Sequence, residues 1–200
     1  MTDPRAQLRD ELRTRRRAIP AATRIAAAQA LAERLLALPF MPAAGYVAGY
    51  WAMDGEIALH AWQLRLPSAL TYCLPVLGRD KRLRFAPWRP GEPLASNRFG
   101  IPEPDVTASA LLEPGTMALV VAPLVGFDAS GQRLGMGGGW YDRSFAFRRH
   151  GAAPPWLVGA GFAAQQVDSL AARSWDVPLD AVCSERETVM PRPSPSQADP

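Results

Sequence analysis

MALVVAPLVGFDASGQRLGMGGGWYDR, residues 117–143, decides how this chain is read. Its first half, Met117 to Asp128, is a continuous apolar run with β-branched valines. That pattern predicts a strand buried on both faces, as in a parallel sheet. Its second half, Gly131 to Arg143, holds five glycines among two arginines, a tryptophan, a tyrosine and an aspartate. Glycine weakens helices and strands through its backbone freedom, so this half is a loop. In open α/β sheets, ligands bind beyond the carboxyl ends of the strands. A glycine loop at that place is a candidate site.

The flanking sequence supports an α/β class. Residues 4–18 predict a helix with Leu8, Leu12 and Ile19 on one stripe and Arg5, Arg9, Arg13 and Arg16 on the next. Residues 21–38 predict a second, alanine-rich helix, which Pro39 and Pro42 close. Strands are expected over Ala44–Trp51, Ala69–Leu77 and the run KRLRFAPW, which begins at Lys81. A turn at Asp54-Gly55 leads into a helix expected to reach about Leu66. The proline-rich segment Arg89–Pro104 reads as a long irregular loop. After the glycine loop, YDRSFAFRRH opens a helix, Trp156–Phe162 is a strand, and Ala163–Ala172 is a short helix. Strands alternating with helices predict a mostly parallel sheet in one domain over residues 1–190. Residues 191–200 read as a disordered, proline-rich tail.

Composition limits the function. The chain has 200 residues, 48% of them apolar and 20% charged, enough for a real core. A net charge of +3 is too mild to imply nucleic-acid binding. No run approaches a membrane span and no signal peptide opens the chain. A cytoplasmic protein, monomeric or homodimeric and without a membrane or nucleic-acid partner, is therefore expected. Cys73, Cys183, His60 and His150 have no zinc spacing. They read as two buried thiols and two surface or packing histidines. Lys81 is the only lysine, so a lysine-dependent site is excluded almost everywhere.

The glycine loop belongs to neither common phosphate class. A P-loop needs Gly-Lys-Ser/Thr. A dinucleotide fingerprint needs a glycine where Trp140 stands. Successive N–H groups of such a loop can form an anion nest. A following helix would add donors, and Arg133 and Arg143 can supply forked hydrogen bonds. Asp142 repels an anion, but makes sense with Mg²⁺ between them. A ligand-free surface turn is the other reading of the same residues.

GFDASGQRLGMGGGWYDR resembles the signature of the 5-formyltetrahydrofolate cyclo-ligase (5,10-methenyltetrahydrofolate synthetase) family. Other pieces fall in matching order: Arg5 and Arg9 before Glu11-Leu12, YWAMDGEI, FGIPEP from Phe99 to Pro104, and Asp176 with Asp180. The resemblance implies a three-layer α/β sandwich with a mostly parallel central sheet, CoA transferase-like. It also implies conversion of 5-formyltetrahydrofolate to 5,10-methenyltetrahydrofolate with ATP and Mg²⁺. Arg133, as the catalytic residue, with Leu134, Gly135, Met136, Gly137, Gly138, Gly139, Trp140 and Tyr141, would wrap the ATP phosphates. Arg5 and Arg9 would reach the nucleotide. Asp142 and Asp176 would hold Mg²⁺. Glu56 and Phe99 would bind the pterin, with Met136 and Trp140 also meeting the folate. Without the resemblance, Glu56 reads as a helix-start carboxylate, Asp176 as a turn residue and Phe99 as packing. Asp180 reads as structural.

Three positions depart from the family pattern. Met136 replaces a basic residue, so one phosphate contact is either lost or supplied by Arg143, Arg148 or another side chain. Trp140 replaces a tyrosine and Arg5 a lysine. Met136 keeps a second reading open, a non-catalytic folate- or nucleotide-binding paralogue.

Overall fold

The computed structural model describes residues 3–191. A seven-stranded sheet of order β11-β10-β9-β6-β1-β2-β3 forms its centre. These strands are β1 (Gly45–Ala48), β2 (Leu70–Leu77), β3 (Leu83–Pro87), β6 (Met117–Pro123), β9 (Trp156–Ala160), β10 (Ala181–Cys183) and β11 (Thr188–Val189). The five inner strands run parallel, and β3 and β11 close the edges antiparallel. The mostly parallel α/β sheet expected from the sequence is present.

The pleat sorts the side chains to two faces. Leu119 and Val121 of β6 point to one core with Val47, Val158 and Cys183, while Val120 joins Ala48, Leu157 and Val182 on the other. The first face is covered by α2 (Ala21–Leu36) through Leu31 and Leu35, and by Trp62 of α3 (His60–Gln63). The second face is covered by short pieces, among them Phe127, Phe145 and Leu179. Helix α1 (Pro4–Arg17) packs apart from both, seating Leu12 against Val125 and Leu134. Gly126 permits this approach, because a Cβ there would stand 2.5 Å from Leu12 Cδ1.

Several expectations change in the structure. The run Met117–Asp128 is two strands, β6 and β7 (Gly126–Phe127). Pro123 cannot donate to the ladder. Val125 N–H then bonds Leu134 O at 2.9 Å, turning the chain into a hairpin of β7 with β8 (Arg133–Leu134). The helix expected after Asp54-Gly55 shrinks to α3. Ile57 and Leu59, two apart, are both buried in a segment that is not helical, and Tyr50 Oη–H donates to Ile57 O at 2.7 Å.

The expected irregular loop at 89–104 contains a hairpin, β4 (Leu94–Ser96) with β5 (Pro102–Pro104). Asp105 N–H bonds Pro93 O and Asn97 N–H bonds Ile101 O. Pro102 and Pro104 therefore turn their missing donors away from β4. Asn97 Oδ1 closes the turn by accepting from Phe99 N–H and Ile101 N–H. The helix expected over Ala163–Ala172 is one 3-10 turn, Ala163–Gln165. Buried Gln165 is committed elsewhere, donating from Nε2 to Leu124 O and Val125 O. The helix after the glycine loop is a single turn, α4 (Trp140–Ser144).

Cys73 and Cys183 are buried and unpaired, and burial raises their thiols to about 12 and about 11. Both histidines are exposed. No described helix is long and apolar enough to cross a membrane. The expected tail lies, after Pro191, outside the described residues.

Asp180 fixes the far side of the sheet. Its carboxylate accepts from Leu157 N–H at 2.7 Å and from Arg148 Nη2, and Arg148 is itself buried. Removing one member of a buried ion pair leaves the other uncompensated. Asp180→Ala is expected to cost about 3 kcal/mol, read as a lower urea midpoint at unchanged slope.

Candidate active site

The carboxyl ends of β1, β2 and β6 open into a cleft of about 650 Å³. Residues following β1, the ends of β2 and β6, the β4–β5 hairpin, α1, the glycine loop and residues 173–176 all contribute walls. The cleft collects Arg5, Arg9, Glu56, Phe99, Arg133, Asp142 and Asp176 with every residue from Gly135 to Tyr141. These come from across nearly the whole chain. Leu134 is the exception among the expected residues. Its side chain is buried on Leu12 and Val125, facing away from the cleft.

One part of the cleft brings arginine and aspartate side chains together. Arg133 donates from Nη1 to Val177 O and from Nη2 to Asp142 Oδ1. Asp142 Oδ1 also accepts from Val177 N–H at 3.1 Å. The neighbouring Asp176 accepts from Arg173 N–H at 2.9 Å and lies 3.7 Å from Arg5 Nη2. Among the described residues, Asp142 Oδ2 and Asp176 Oδ1 make no hydrogen bond. Arg9 Nε donates to Gly135 O at 2.9 Å, which ties α1 to the loop. Gly137 and Gly139 take φ of 93° and 63°, the left-handed region that favours glycine. The short α4 adds no developed helix dipole to this site.

The other part is darker to solvent. Glu56 Oε2 accepts from Met53 N–H at 2.9 Å, and Oε1 lies 3.8 Å from Arg16 Nη1. Burial raises the Glu56 carboxyl, against the opposing pull of Met53 N–H and Arg16. Burial also pushes the Tyr50 and Tyr141 phenols up, with Glu56 adding to both, so both stay neutral. Phe99 is exposed and meets Trp140 edge-on, with ring centroids 6.4 Å apart.

The possible substitutes for a basic side chain at 136 fare differently. Arg148 is buried on Asp180 and does not reach the cleft. Arg143 reaches it but donates to Lys81 O and Gly138 O. Met136 is half-exposed on the cleft wall.

Residues 1–185 match the model of the 5-formyltetrahydrofolate cyclo-ligase family. The chain belongs to that family. It is 36% identical to the 5-formyltetrahydrofolate cyclo-ligase of Haemophilus influenzae, over 89% of this chain and 96% of that one. It is 35% identical to the Escherichia coli K12 protein of the same name, over 86% and 94%. The 5,10-methenyltetrahydrofolate synthetase of Aquifex aeolicus superposes with a TM-score of 0.79 at 25% identity, covering 98% of this chain and 96% of that one.

This cyclo-ligase family member also has a cluster that its sequence motifs did not single out. Asp54, at φ 50°, receives Arg13 Nε at 2.8 Å, Arg16 Nη2 at 2.9 Å and Arg17 Nε at 2.6 Å. Arg16 is fully buried and also donates to Asp54 O and Leu124 O. The arginine spacing was visible, but its acceptor was not. Glu103 was missed as well. Its Oε1 accepts from Leu77 N–H and Asn97 Nδ2, holding the β4–β5 hairpin on β2.

Partial burial raises the Asp54 carboxyl, but hydrogen bonds from Arg13 and Arg17 and the Arg13 and Arg16 charges outweigh it. The net value lies below the ordinary 3.8. The stabilisation is therefore complete above that value and is lost as pH falls through the lowered folded value. Asp54→Ala is expected to cost about 3 kcal/mol near neutrality. Denaturation across acid pH should show a shallower loss of stability in the variant than in wild type.

Proposed function

We propose that this chain converts 5-formyltetrahydrofolate to 5,10-methenyltetrahydrofolate, using ATP and releasing ADP and phosphate. The observation that carries this reading is the single cleft in which a glycine loop, Arg133 and two aspartates adjoin the partly buried Glu56. Family membership and the curated relatives support the same reaction.

The chemistry needs such a pairing. A formamide oxygen is a poor leaving group. Phosphoryl transfer from ATP makes it a good one. N10 of the folate then attacks the activated carbon, and phosphate leaves as the ring closes. Positioning and electrostatics carry a phosphoryl transfer, so no covalent nucleophile on the protein is required.

In this reading the backbone donors of Gly135–Gly139 hold the triphosphate, with Arg5 and Arg9 beside them. Arg133 faces the charge that develops on the transferred group. The formyl oxygen meets the phosphate near Met136 and Trp140. Glu56 accepts N–H donors of the pterin, and Phe99 and Trp140 offer ring faces. Tyr50 and Tyr141, neutral phenols, can orient polar groups of the substrate without adding charge.

Mg²⁺ fits the donor set. It takes one or two carboxylates and completes its shell with phosphate oxygens and water. Asp142 and Asp176 each have an oxygen without a hydrogen bond among the described residues, and no group of three acidic, histidine or cysteine ligands occurs there. Bound there, Mg²⁺ would neutralise phosphate charge.

The test is direct. Purified protein with 5-formyltetrahydrofolate, ATP and Mg²⁺ should produce the near-ultraviolet absorbance of the methenyl product. Omission of ATP should abolish it. Absence of product from the complete mixture would contradict the proposal. Asp142→Asn should lower turnover about a hundredfold while its melting curve stays close to wild type. Equal turnover in that variant removes Asp142 from the metal site.

A further inference from the structure

Residues 171–175 are an exposed loop fixed at both ends. Leu170 N–H bonds Asp128 Oδ2 at 2.8 Å on one side, and Val177 N–H bonds Asp142 Oδ1 on the other. Within the loop, Asp176 caps Arg173 N–H and Arg149 Nη1 donates to Ser174 O. Two large side chains, Arg173 and Trp175, project onto the cleft. Trp175 is 53% exposed.

The arginines of the cleft differ in what they have left to offer. Arg133 spends its fork on Val177 O and Asp142. Arg9 is bonded to Gly135 O, Arg143 to Lys81 O and Gly138 O, and Arg149 to Ala146 O and Ser174 O. Arg5 faces Asp176. The Arg173 guanidinium makes no hydrogen bond or ion pair among the described residues. It lies 5.2 Å from the centroid of the Trp175 ring. Stacking leaves its edge N–H donors open. Such a fork can take two phosphate oxygens without surrendering a protein partner. Its turn includes Asp176, which places it beside the proposed magnesium and phosphate end of the cleft.

We infer that Arg173, held on Trp175, is a further polyphosphate-binding residue of the cleft and takes the triphosphate of ATP through its open fork. This deepens the proposed function and rests on its assignment of ATP as co-substrate. Trp175 acts as the positioning residue for the guanidinium.

The test compares wild type, Arg173→Ala and Arg173→Lys with two probes, inorganic tripolyphosphate and ATP, each with Mg²⁺. Calorimetry reads affinity, and the methenyl absorbance reads KM for each substrate. Arg173→Ala should weaken both probes and raise KM for ATP about ten- to a hundredfold. KM for 5-formyltetrahydrofolate and the melting temperature should stay at wild-type values. Arg173→Lys should recover only part of the loss, since an ammonium lacks the fork. Unchanged probe affinity in Arg173→Ala overturns the inference, as does a rise confined to KM for the folate. Failure of wild type to bind tripolyphosphate overturns it too. If wild type binds tripolyphosphate but forms no methenyl product, the cyclo-ligase reading falls, and the affinities alone decide Arg173.

Discussion

The Arg16 guanidinium is the joint on which the cleft depends. It is fully buried, yet it reaches Asp54 O, the Asp54 carboxylate and Leu124 O, with Glu56 at 3.8 Å. Those partners belong to the segment after β1 and to the end of β6. One side chain therefore joins α1, the Glu56 wall and the turn that launches the glycine loop. A charge taken out of water is tolerated only where its partners are well placed. Here they fix α1 so that Arg5 and Arg9 lie along the glycine loop. Leu12 against Gly126 adds the apolar half of the same contact.

The sequence told most where chemistry is local. The apolar run of β6 and the glycines of the loop carry their own signal, and both α1 and α2 follow from their stripes. Cleft residues could be named because the family motifs carry them, not because spacing brings Glu56 near Asp142. Arg16 shows the limit. Its stripe was readable, but its acceptors lie 38 and 108 residues away. The short elements failed for different reasons. Pro102 and Pro104 disguise β5, although their period of two suits an edge strand. Gln165 stops a helix by bonding backbone oxygens of another segment. The three residues of β10 are too few to show a pattern.

The rim of the cleft is built from guanidinium–aromatic stacks rather than lysines. Arg98 lies over Phe99 and Trp140, Arg143 over Trp140, and Arg173 over Trp175. Tryptophan at 140 fits this surface, because its indole face takes two cations at once. Met136 then sits as a half-exposed apolar residue on the cleft wall among these charges. A chain with one lysine thus lines its cleft with arginines without placing a base at 136.

In the proposed reaction the cleft makes the formyl oxygen a leaving group by phosphorylating it. The most direct measurement follows that oxygen. 5-Formyltetrahydrofolate carrying heavy oxygen in the formyl group is turned over with unlabelled ATP, and the released phosphate is examined by mass spectrometry. The label is expected to appear in inorganic phosphate. Unlabelled phosphate, with the heavy oxygen released to water, would contradict it.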